Sequence, residues 1–505
     1  MMTWENYFSY NRDFNKKHSL GVTLLQSIQQ DLQEDLSGKV QKLPSDILKY
    51  YDLASGLMID GVGSDYIKWN MASFMGRVNY GYMGRYLLTL SARYDGSSRL
   101  AEGHKWVLFP SAALAWRISD EPFMKDLVWL DNLKLRVGYG KTGNSAVSPY
   151  QTKGQLALRH YVFNNGSSEY IGYAPSVMAN DQLTWETTDQ WNVGVDFGFL
   201  KNRINGTVEF YLQNTKDLLL KRQLPVVSGF SSVMSNVGST RNKGIEITLN
   251  TRNIMNRNFT WSTDLTFSAN KEEIVELYNG KTDDVGNLWF IGQPIDVYYN
   301  YKKIGIWQNT ENDLAEMAKF NEKGANFKPG SIRLEDVDGD YKITEEDKQI
   351  LGSVRPKFVA SMVNNFEFKG FDLSVFLYAS VGGLLRNNIE FMEKPGRGNT
   401  VKVDYWTPTN PTNAFPRPSV DVEKLDYIST LGYDKADFLR IRNITLGYTL
   451  PEMWSKKVLM DKIRIYLSAN NPAIFTNFTG IDPEGANGRT APSYSTWMFG
   501  INLSM

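Results

Sequence analysis

The sequence contains no cysteine and only three histidines among its 505 residues. Without cysteine there is no disulfide framework, no thiol nucleophile and no cysteine-ligated zinc or iron–sulfur centre. His18, His104 and His160 are dispersed along the chain, and no two of them have the spacing of a metal-ligand pair. No nucleophile elbow or cofactor motif accompanies them. The sequence therefore predicts a protein that is not an enzyme.

Charge and long apolar runs are also lacking. The 55 Lys and Arg residues balance 55 Asp and Glu residues, so no net field favours nucleic acid as a partner. Mean hydropathy is −0.37, and no window approaches the ~18–20 apolar residues of a membrane-spanning helix. The N-terminal MMTWENYFSYNRDF lacks the basic and apolar regions of a signal peptide. Taken literally, these absences indicate a soluble cytoplasmic protein.

Alternation of apolar and polar residues along the whole chain contradicts that interpretation. Trp191, Val193, Val195 and Phe197, for example, alternate with small or polar residues, which is the period of a β-strand with two different faces. Aromatic residues make up 13% of the chain and concentrate at the ends of such segments. The pattern predicts about fifteen strands, at 4–11, 18–29, 66–80, 86–97, 105–118, 134–141, 185–199, 203–218, 241–252, 259–271, 357–368, 371–381, 437–450, 463–471 and 496–504.

The connections between these strands alternate between short and long. The long ones lie near 30–65, 142–184, 219–240, 272–356, 382–436 and 472–495. Tight turns on one rim and long loops on the other are typical of an outer-membrane β-barrel, whose long loops are extracellular. Such barrels have an even number of strands, whereas about fifteen is odd. We therefore expect further strands that precede Met1 in the natural protein.

Several segments resemble the SusC/RagA family of TonB-dependent outer-membrane transporters of Bacteroidetes. The resemblance covers nearly the whole chain, residues 1–505, in the order of the family's barrel domain. The sequence ends on Met505 where such barrels usually end on an aromatic residue. The segments that carry the resemblance are RYLLTLSARYDGSSRL at 85–100, FPSAALAWRISDEPF at 109–123, LKLRVGYGKTGN at 133–144, the stretch 183–219, SNVGSTRNKGIEITLN at 235–250, the stretch 354–377, YWTPTNPTNAFPRP at 405–418, FLRIRNITLGYTLP at 438–451 and IRIYLSANNPAIFTNFTGIDPE at 463–484.

The resemblance implies an all-β antiparallel transmembrane barrel of about twenty-two strands, of which this chain supplies about fifteen, without the plug domain. It implies import of an oligosaccharide or peptide across the outer membrane of a Gram-negative bacterium. The implied partners are the TonB complex and a SusD-like surface lipoprotein that forms a lid. Two alternatives remain open. One is a surface glycan-binding β protein with a calcium-ordered loop and no transport role, and the other is a truncated or split barrel fragment that needs a separate N-terminal piece.

The most specific local motif is the acidic loop 336–347, DVDGDYKITEED. Asp336, Asp338, Asp340 and Asp347 occupy positions 1, 3, 5 and 12, and the Lys342 carbonyl occupies position 7, which is the ligand spacing of an EF-hand loop. Position 6 is a tyrosine instead of the usual glycine, and position 12 is aspartate instead of glutamate. The motif predicts a structural Ca²⁺ or Mg²⁺ site, and a solvated acidic turn without metal is the alternative.

Aromatic residues in the long loops are candidates for ligand contacts. Trp289, Trp307, Tyr405 and Trp406 are predicted to stack on sugar rings or peptide side chains at the extracellular mouth. Packing within the loops is the alternative for each of them.

Overall fold

The computed structural model describes residues 1–45, 47, 49–166, 168–387, 403–418, 425–485 and 493–505. Parts of the expected loops 30–65, 142–184, 382–436 and 472–495 lie outside the described residues. The described part of the chain is almost entirely β-structure, with two α-helices, α1 (Glu311–Glu322) and α2 (Glu452–Ser455). No helix among the described residues is long and apolar enough to cross a membrane.

Twenty-five strands are present among the described residues. They are β1 (Met2–Phe14), β2 (His18–Gln41), β3 (Met58–Tyr82), β4 (Tyr86–Ser97), β5 (Trp106–Arg117), β6 (Leu130–Asn144), β7 (Gln155–Phe163), β8 (Ser168–Val177), β9 (Glu186–Phe199), β10 (Ile204–Lys216), β11 (Leu219–Gln223), β12 (Ser232–Asn236), β13 (Ser239–Met255), β14 (Phe259–Glu276), β15 (Val297–Tyr301), β16 (Lys303–Ile306), β17 (Ile332–Leu334), β18 (Lys348–Ser353), β19 (Phe358–Phe368), β20 (Phe371–Val381), β21 (Leu384–Arg386), β22 (Tyr433–Lys435), β23 (Phe438–Thr449), β24 (Lys462–Thr476) and β25 (Thr496–Ser504).

One sheet contains fifteen of these strands in the order β1-β2-β3-β4-β5-β6-β9-β10-β13-β14-β19-β20-β23-β24-β25. Each predicted strand corresponds to one strand of this sheet, so the predicted all-β antiparallel class is confirmed. The other ten strands form five two-stranded sheets within the long connections, as β7-β8, β11-β12, β15-β18, β16-β17 and β21-β22.

The register of β3 and β4 shows how the alternation in sequence becomes two faces. Phe74 pairs with Tyr94, and Val78 pairs with Leu90, so these side chains share one apolar face. All four are exposed on that face. The opposite face is polar and includes Ser73 and Asp95. Because neighbouring strands remain in register over many residues, apolar rows continue across the sheet.

The short connections are tight backbone turns. Leu200, Lys201 and Asn202 all have positive φ between β9 and β10, and Lys369 and Gly370 do so between β19 and β20. At Gly370 the φ is +89°, and an added Cβ would lie 2.9 Å from the Thr449 carbonyl oxygen. Glycine therefore suits this turn for both backbone conformation and space.

The connection expected at 30–65 is wrong in its bounds, because β2 and β3 extend far into it. Their ladder continues from the Gln30↔Asn70 pair to the Gln41↔Met58 pair, with one register shift at Lys39/Val40. Polar residues interrupt the apolar alternation in this part of the sequence, but backbone hydrogen bonds do not depend on side-chain polarity. The strands therefore continue where the pattern fades.

The chain divides into two compact units. Unit 1 comprises residues 1–197, 209–243 and 274–282, and unit 2 comprises residues 198–208, 244–273 and 283–505. In unit 1 the buried residues Leu100, Phe109, Val147 and Trp185 form one apolar cluster. In unit 2 three such clusters lie among the long connections.

Apolar side chains on one face of the fifteen-stranded sheet are not covered by a second sheet among the described residues. Trp191, Phe210, Trp497 and Phe499 each expose more than half of their side-chain surface. A soluble glycan-binding sandwich would bury these side chains between two sheets. The glycan-binding alternative is therefore wrong in expecting these side chains to be buried, as far as the described residues show.

Candidate functional site

The acidic loop brings three of its predicted ligands together. Ligand oxygens of Asp336, Asp338 and Asp340 all lie within 4.8 Å of one another. Asp338 and Asp340 are exposed and Asp336 is half-buried. Three convergent carboxylates in such a tight loop suit a hard cation such as Ca²⁺.

Backbone amides hold these carboxylates in place. Asp336 accepts the Gly339 N–H through Oδ1 at 2.8 Å and the Tyr341 N–H through Oδ2 at 2.9 Å. Tyr341 has φ +62°, the left-handed conformation for which an EF-hand loop uses glycine. Its ring packs edge-on against Phe320 at 5.4 Å, and Lys319 Nζ lies 5.0 Å from its centroid. These contacts offset the strain of a non-glycine residue at this position.

Asp347 does not join the three carboxylates. It is 1% exposed, and its two oxygens accept the Val337 N–H at 2.8 Å and the Thr344 N–H at 2.7 Å. Together with Thr344 it forms a capping box for the short 3-10 turn at Glu345–Asp347. In this arrangement the Asp347 side chain closes the loop on itself and lies apart from the three converging carboxylates, so its role as a metal ligand stays a prediction. The Lys342 carbonyl stays a prediction.

The electrostatic environment of Asp338 indicates crowding of negative charge. The hydrogen bond from the Asp340 N–H lowers the pKa of Asp338, but desolvation and the charges of Asp340 and Asp347 raise it by more. The net result is a pKa above the ordinary value for aspartate. A bound cation would relieve this repulsion.

Two of the four predicted ligand-contacting aromatics are buried. Trp307 is 1% exposed and packs against Met317, Phe320 and Phe327. Trp406 belongs to a second cluster, with its Nε1 donating to Gln308 Oε1 at 2.8 Å. Neither ring offers a face to an incoming ligand, so the prediction is wrong for both.

The other two predicted aromatics remain available. Trp289 is half-buried and exchanges backbone hydrogen bonds of 2.8 and 2.9 Å with Asp284. Tyr405 is 45% exposed. A half-buried lysine holds the segment that carries Tyr405, because Lys303 Nζ donates to the carbonyls of Asn413 and Ala414 at 2.7 Å each. Burial lowers the pKa of Lys303.

The β7–β8 hairpin presents an apolar surface that the residue-level predictions missed. On one face, Leu158 lies opposite Tyr173, and Ile171 and Leu156 share that face. All four side chains are more than half exposed. An exposed apolar patch of this kind marks an interaction surface. Alternating apolar and polar residues inside the loop expected at 142–184 could have predicted these two strands and their apolar face.

The polar face of unit 1 carries an ion-pair network between strands. Arg136 Nη2 lies 3.0 Å from Asp196 Oδ1 and 3.2 Å from Glu209 Oε2, and its Nε donates to Asp196 Oδ2 at 3.1 Å. Charged groups on one face and exposed aromatic residues on the other are the arrangement of a membrane barrel wall with a polar interior.

Comparison with known proteins agrees with this arrangement. The family model described as TonB dependent receptor-like, beta-barrel, matches residues 2–472. TonB-dependent receptor P3 of Formosa agariphila is 32% identical, over 99% of this chain and 52% of the relative. TonB-dependent receptor SusC of Bacteroides thetaiotaomicron is 32% identical, over 86% of this chain and 43% of the relative. The RagAB peptide importer in its open-open state matches with a TM-score of 0.81 and 25% identity, over 100% of this chain and 54% of that one.

The two-faced sheet together with these matches therefore defines an outer-membrane β-barrel protein of a Gram-negative bacterium. The chain belongs to the TonB-dependent receptor-like β-barrel family, among members similar to SusC and RagA. It spans about half the length of the relatives that it matches.

Proposed function

We propose that this chain is the barrel part of an outer-membrane importer of oligosaccharides or peptides, powered through TonB. The observation that carries the proposal is the match to TonB-dependent receptors along residues 2–472. Ligand capture at the long loops and passage along the polar face require no covalent chemistry. The plug that gates such a barrel would be contributed by a part of the protein outside this sequence.

A SusD-like lipoprotein is proposed as the lid. The β7–β8 hairpin supports this partner, because Leu156, Leu158, Ile171 and Tyr173 form an exposed apolar face on a long connection. A hairpin of two strands is only marginally stable by itself, so a partner that covers this face would also stabilise it. Replacing Leu158 and Tyr173 by serine is expected to release the lid from the complex while the barrel remains folded.

Growth and uptake measurements test the import function. A strain without the gene for this chain is expected to lose uptake of one labelled oligosaccharide or peptide, and a strain without TonB should lose the same uptake. The intact mass of the outer-membrane species that carries this sequence is expected to be near twice 57.5 kDa. A membrane-embedded species of 57.5 kDa would instead support a split barrel. Unchanged uptake of all such nutrients would contradict an import role.

We also propose that Asp336, Asp338 and Asp340 hold a structural Ca²⁺ or Mg²⁺. The convergence of their oxygens within 4.8 Å supports this site. Terbium luminescence, displaced by Ca²⁺, tests it in the wild-type chain and in an Asp338→Asn variant. Asp283→Asn, in an acidic pair elsewhere in the same long connection, is the matched control. Equal terbium signals from wild type and Asp338→Asn would show that the loop is a metal-free turn.

A further inference from the structure

Arg99, in the connection between β4 and β5, lies over the face of Trp69. The guanidinium carbon is 3.9 Å from the ring centroid, which is a close cation–π contact. Trp69 is on β3, four residues before Ser73, and the two side chains therefore lie on the same face of the strand. This is the polar face of unit 1, at the rim from which the long connections extend.

The backbone on both sides of Arg99 is held firmly. Ser98 exchanges hydrogen bonds with Asn70, through its N–H at 2.9 Å and its Oγ at 2.8 Å. Leu100 is 1% exposed and belongs to the buried cluster of unit 1. The Trp69 ring is fixed too, because its Nε1 donates to Asp31 Oδ2 at 3.1 Å. The guanidinium is therefore presented from a rigid base.

Arg99 differs from four other stacked arginines of this protein in what neutralises its charge. Arg333 lies over Trp307 at 4.4 Å and pairs with Asp313 at 3.2 Å and Glu316 at 2.5 Å. Stacked arginines at 440, 442 and 464 likewise have carboxylate partners. Among the described residues, no carboxylate oxygen lies within 4.0 Å of the Arg99 guanidinium, and its buried Nε has no hydrogen-bond acceptor.

Asp31 is the acidic neighbour of Arg99, and its influence is limited. Burial lowers the pKa of Arg99, and the charge of Asp31 opposes that effect at longer range. The Asp31 carboxylate already accepts the Trp69 N–H, so it orients the ring instead of pairing with the guanidinium. A planar guanidinium with free donors, stacked on a fixed ring, suits a carboxylate that binds through two parallel hydrogen bonds.

We propose that Arg99 and Trp69 form a binding site for a carboxylate of the incoming ligand. The inference rests on the proposed import function, because it names the chemistry of the ligand. The carboxylate belongs either to a uronic acid unit of an oligosaccharide or to the C-terminus of a peptide. The guanidinium supplies the charge and the donors, and the indole ring fixes their plane.

Calorimetric titration of the intact outer-membrane species that carries this sequence, purified in detergent, tests the site. The acidic probes are tetragalacturonic acid and tetra-alanine with a free C-terminus, and the neutral controls are maltotetraose and amidated tetra-alanine. At least one acidic probe is expected to bind, more weakly at high salt, since an exposed ion pair is screened. Which acidic probe binds distinguishes the two sources. Failure of both acidic probes to bind would overturn the proposal.

Variants separate this site from general charge attraction. Arg99→Gln is expected to weaken binding of the acidic probe by roughly tenfold. Arg99→Lys is expected to weaken it by about threefold, because lysine cannot form the two parallel hydrogen bonds of a guanidinium. Asp31→Asn should strengthen binding, since a negative charge is removed. Arg77→Gln, an exposed arginine on the same face of β3, is the matched control and should change binding less than about twofold.

An equal loss in Arg77→Gln and Arg99→Gln would overturn the proposal, as would unchanged binding in Arg99→Gln. Circular dichroism and resistance to unfolding in SDS confirm that each variant is folded, and Arg99→Lys preserves the charge if Arg99→Gln does not fold. Uptake in cells is measured separately. If wild type and Arg99→Gln bind the acidic probe equally while uptake is intact, only the site is contradicted. If binding depends on Arg99 but no uptake occurs, only the import function is contradicted.

Discussion

Two loop regions of this barrel protein contain similar aromatic and aliphatic side chains, but one region buries them and the other leaves them exposed. In unit 2, the packed loop region (283–357, 403–418 and 425–437) buries Trp307, Trp406 and their neighbours in two clusters. In unit 1, the β7–β8 hairpin leaves Leu158 and Tyr173 exposed on one face. The packed loop region thus behaves as a small folded core, while the hairpin leaves its apolar face exposed to solvent among the described residues.

The difference in burial follows from the number of secondary-structure elements that pack together in each region. The packed loop region contains helix α1 and several short strands, and Arg333 links β17 to α1 through Asp313 and Glu316. Several elements can surround an apolar side chain completely. Two paired strands can cover only their own backbone, so their side chains stay exposed. Richness in aromatic residues therefore does not decide whether a loop is a core or a contact surface.

The largest expected effect comes from emptying the core of the packed loop region. Trp307→Ala removes the ring that packs against Phe320 and Phe327, and we expect a loss of about 4 kcal/mol in the stability of this region. Hydrogen exchange of residues 303–334 measures it. The matched control is Tyr173→Ala in the hairpin, with a change within about 0.5 kcal/mol. Similar losses in both variants would break the comparison.

A smaller loss is expected from breaking a buried ion pair. Arg440 Nη2 lies 2.7 Å from Asp482 Oδ1, and both side chains are buried. Arg440→Gln leaves Asp482 without its cation, and we expect residues 477–485 to lose about 3 kcal/mol of stability. Proteolysis of this segment measures the change, with Arg159→Gln in the hairpin as the control. Unaltered protection in Arg440→Gln would show that apolar packing alone holds unit 2's loops.

The same pair predicts a dependence on pH. Burial alone would raise the pKa of Asp482, but hydrogen bonds from Ser493, the Glu484 N–H and Arg440 lower it below the ordinary value. A lowered folded-state pKa contributes stability above the unfolded-state pKa, and this stability is lost as pH falls through the folded-state pKa. Protection of residues 477–485 should therefore decline in acid. Asp482→Asn is expected to lack this decline; the same acid response in that variant would contradict the assignment.

Helix α1 provides a more modest test. The Thr310 hydroxyl accepts the Asp313 N–H at 3.3 Å as the N-cap. Thr310→Ala should destabilise the helix by about 1 kcal/mol. Faster hydrogen exchange confined to the first turn measures the effect, and Asn312→Ala, an exposed neighbour, is the control. Equal exchange in the two variants would mean that packing of Met317 and Phe320 holds the helix end without its cap.

The smallest change in stability is expected in the hairpin itself. Leu158→Ser together with Tyr173→Ser should change unfolding of the barrel by less than about 0.5 kcal/mol, because both side chains are exposed. Their effect should appear only in binding of the proposed lipoprotein lid, measured by co-purification. Lys221→Ser in β11 is the control. A strongly destabilised barrel would show that the hairpin packs against the remainder of unit 1 more closely than its exposure indicates.

Much of the fold could be predicted from alternation, but contacts within loops could not. Alternation of apolar and polar residues located all fifteen strands of the large sheet, because a strand with one apolar and one polar face requires that alternation between neighbouring residues. The extension of β2 and β3 was missed because a ladder of backbone hydrogen bonds needs no particular side chain. Ligand spacing placed Asp336, Asp338 and Asp340 together, but spacing alone did not reveal that Asp347 turns toward backbone amides.

The sequence by itself therefore determined the class of this protein, the order of its strands and its family, because these depend on residues that are neighbours along the chain. Only the tertiary structure decided that Trp307 is core while Tyr405 is exposed. It also decided that Arg99 stacks on Trp69 without a carboxylate partner among the described residues. Burial and charge pairing depend on residues that are distant in sequence and meet only when the chain is folded. Patterns among neighbouring residues therefore do not predict those contacts.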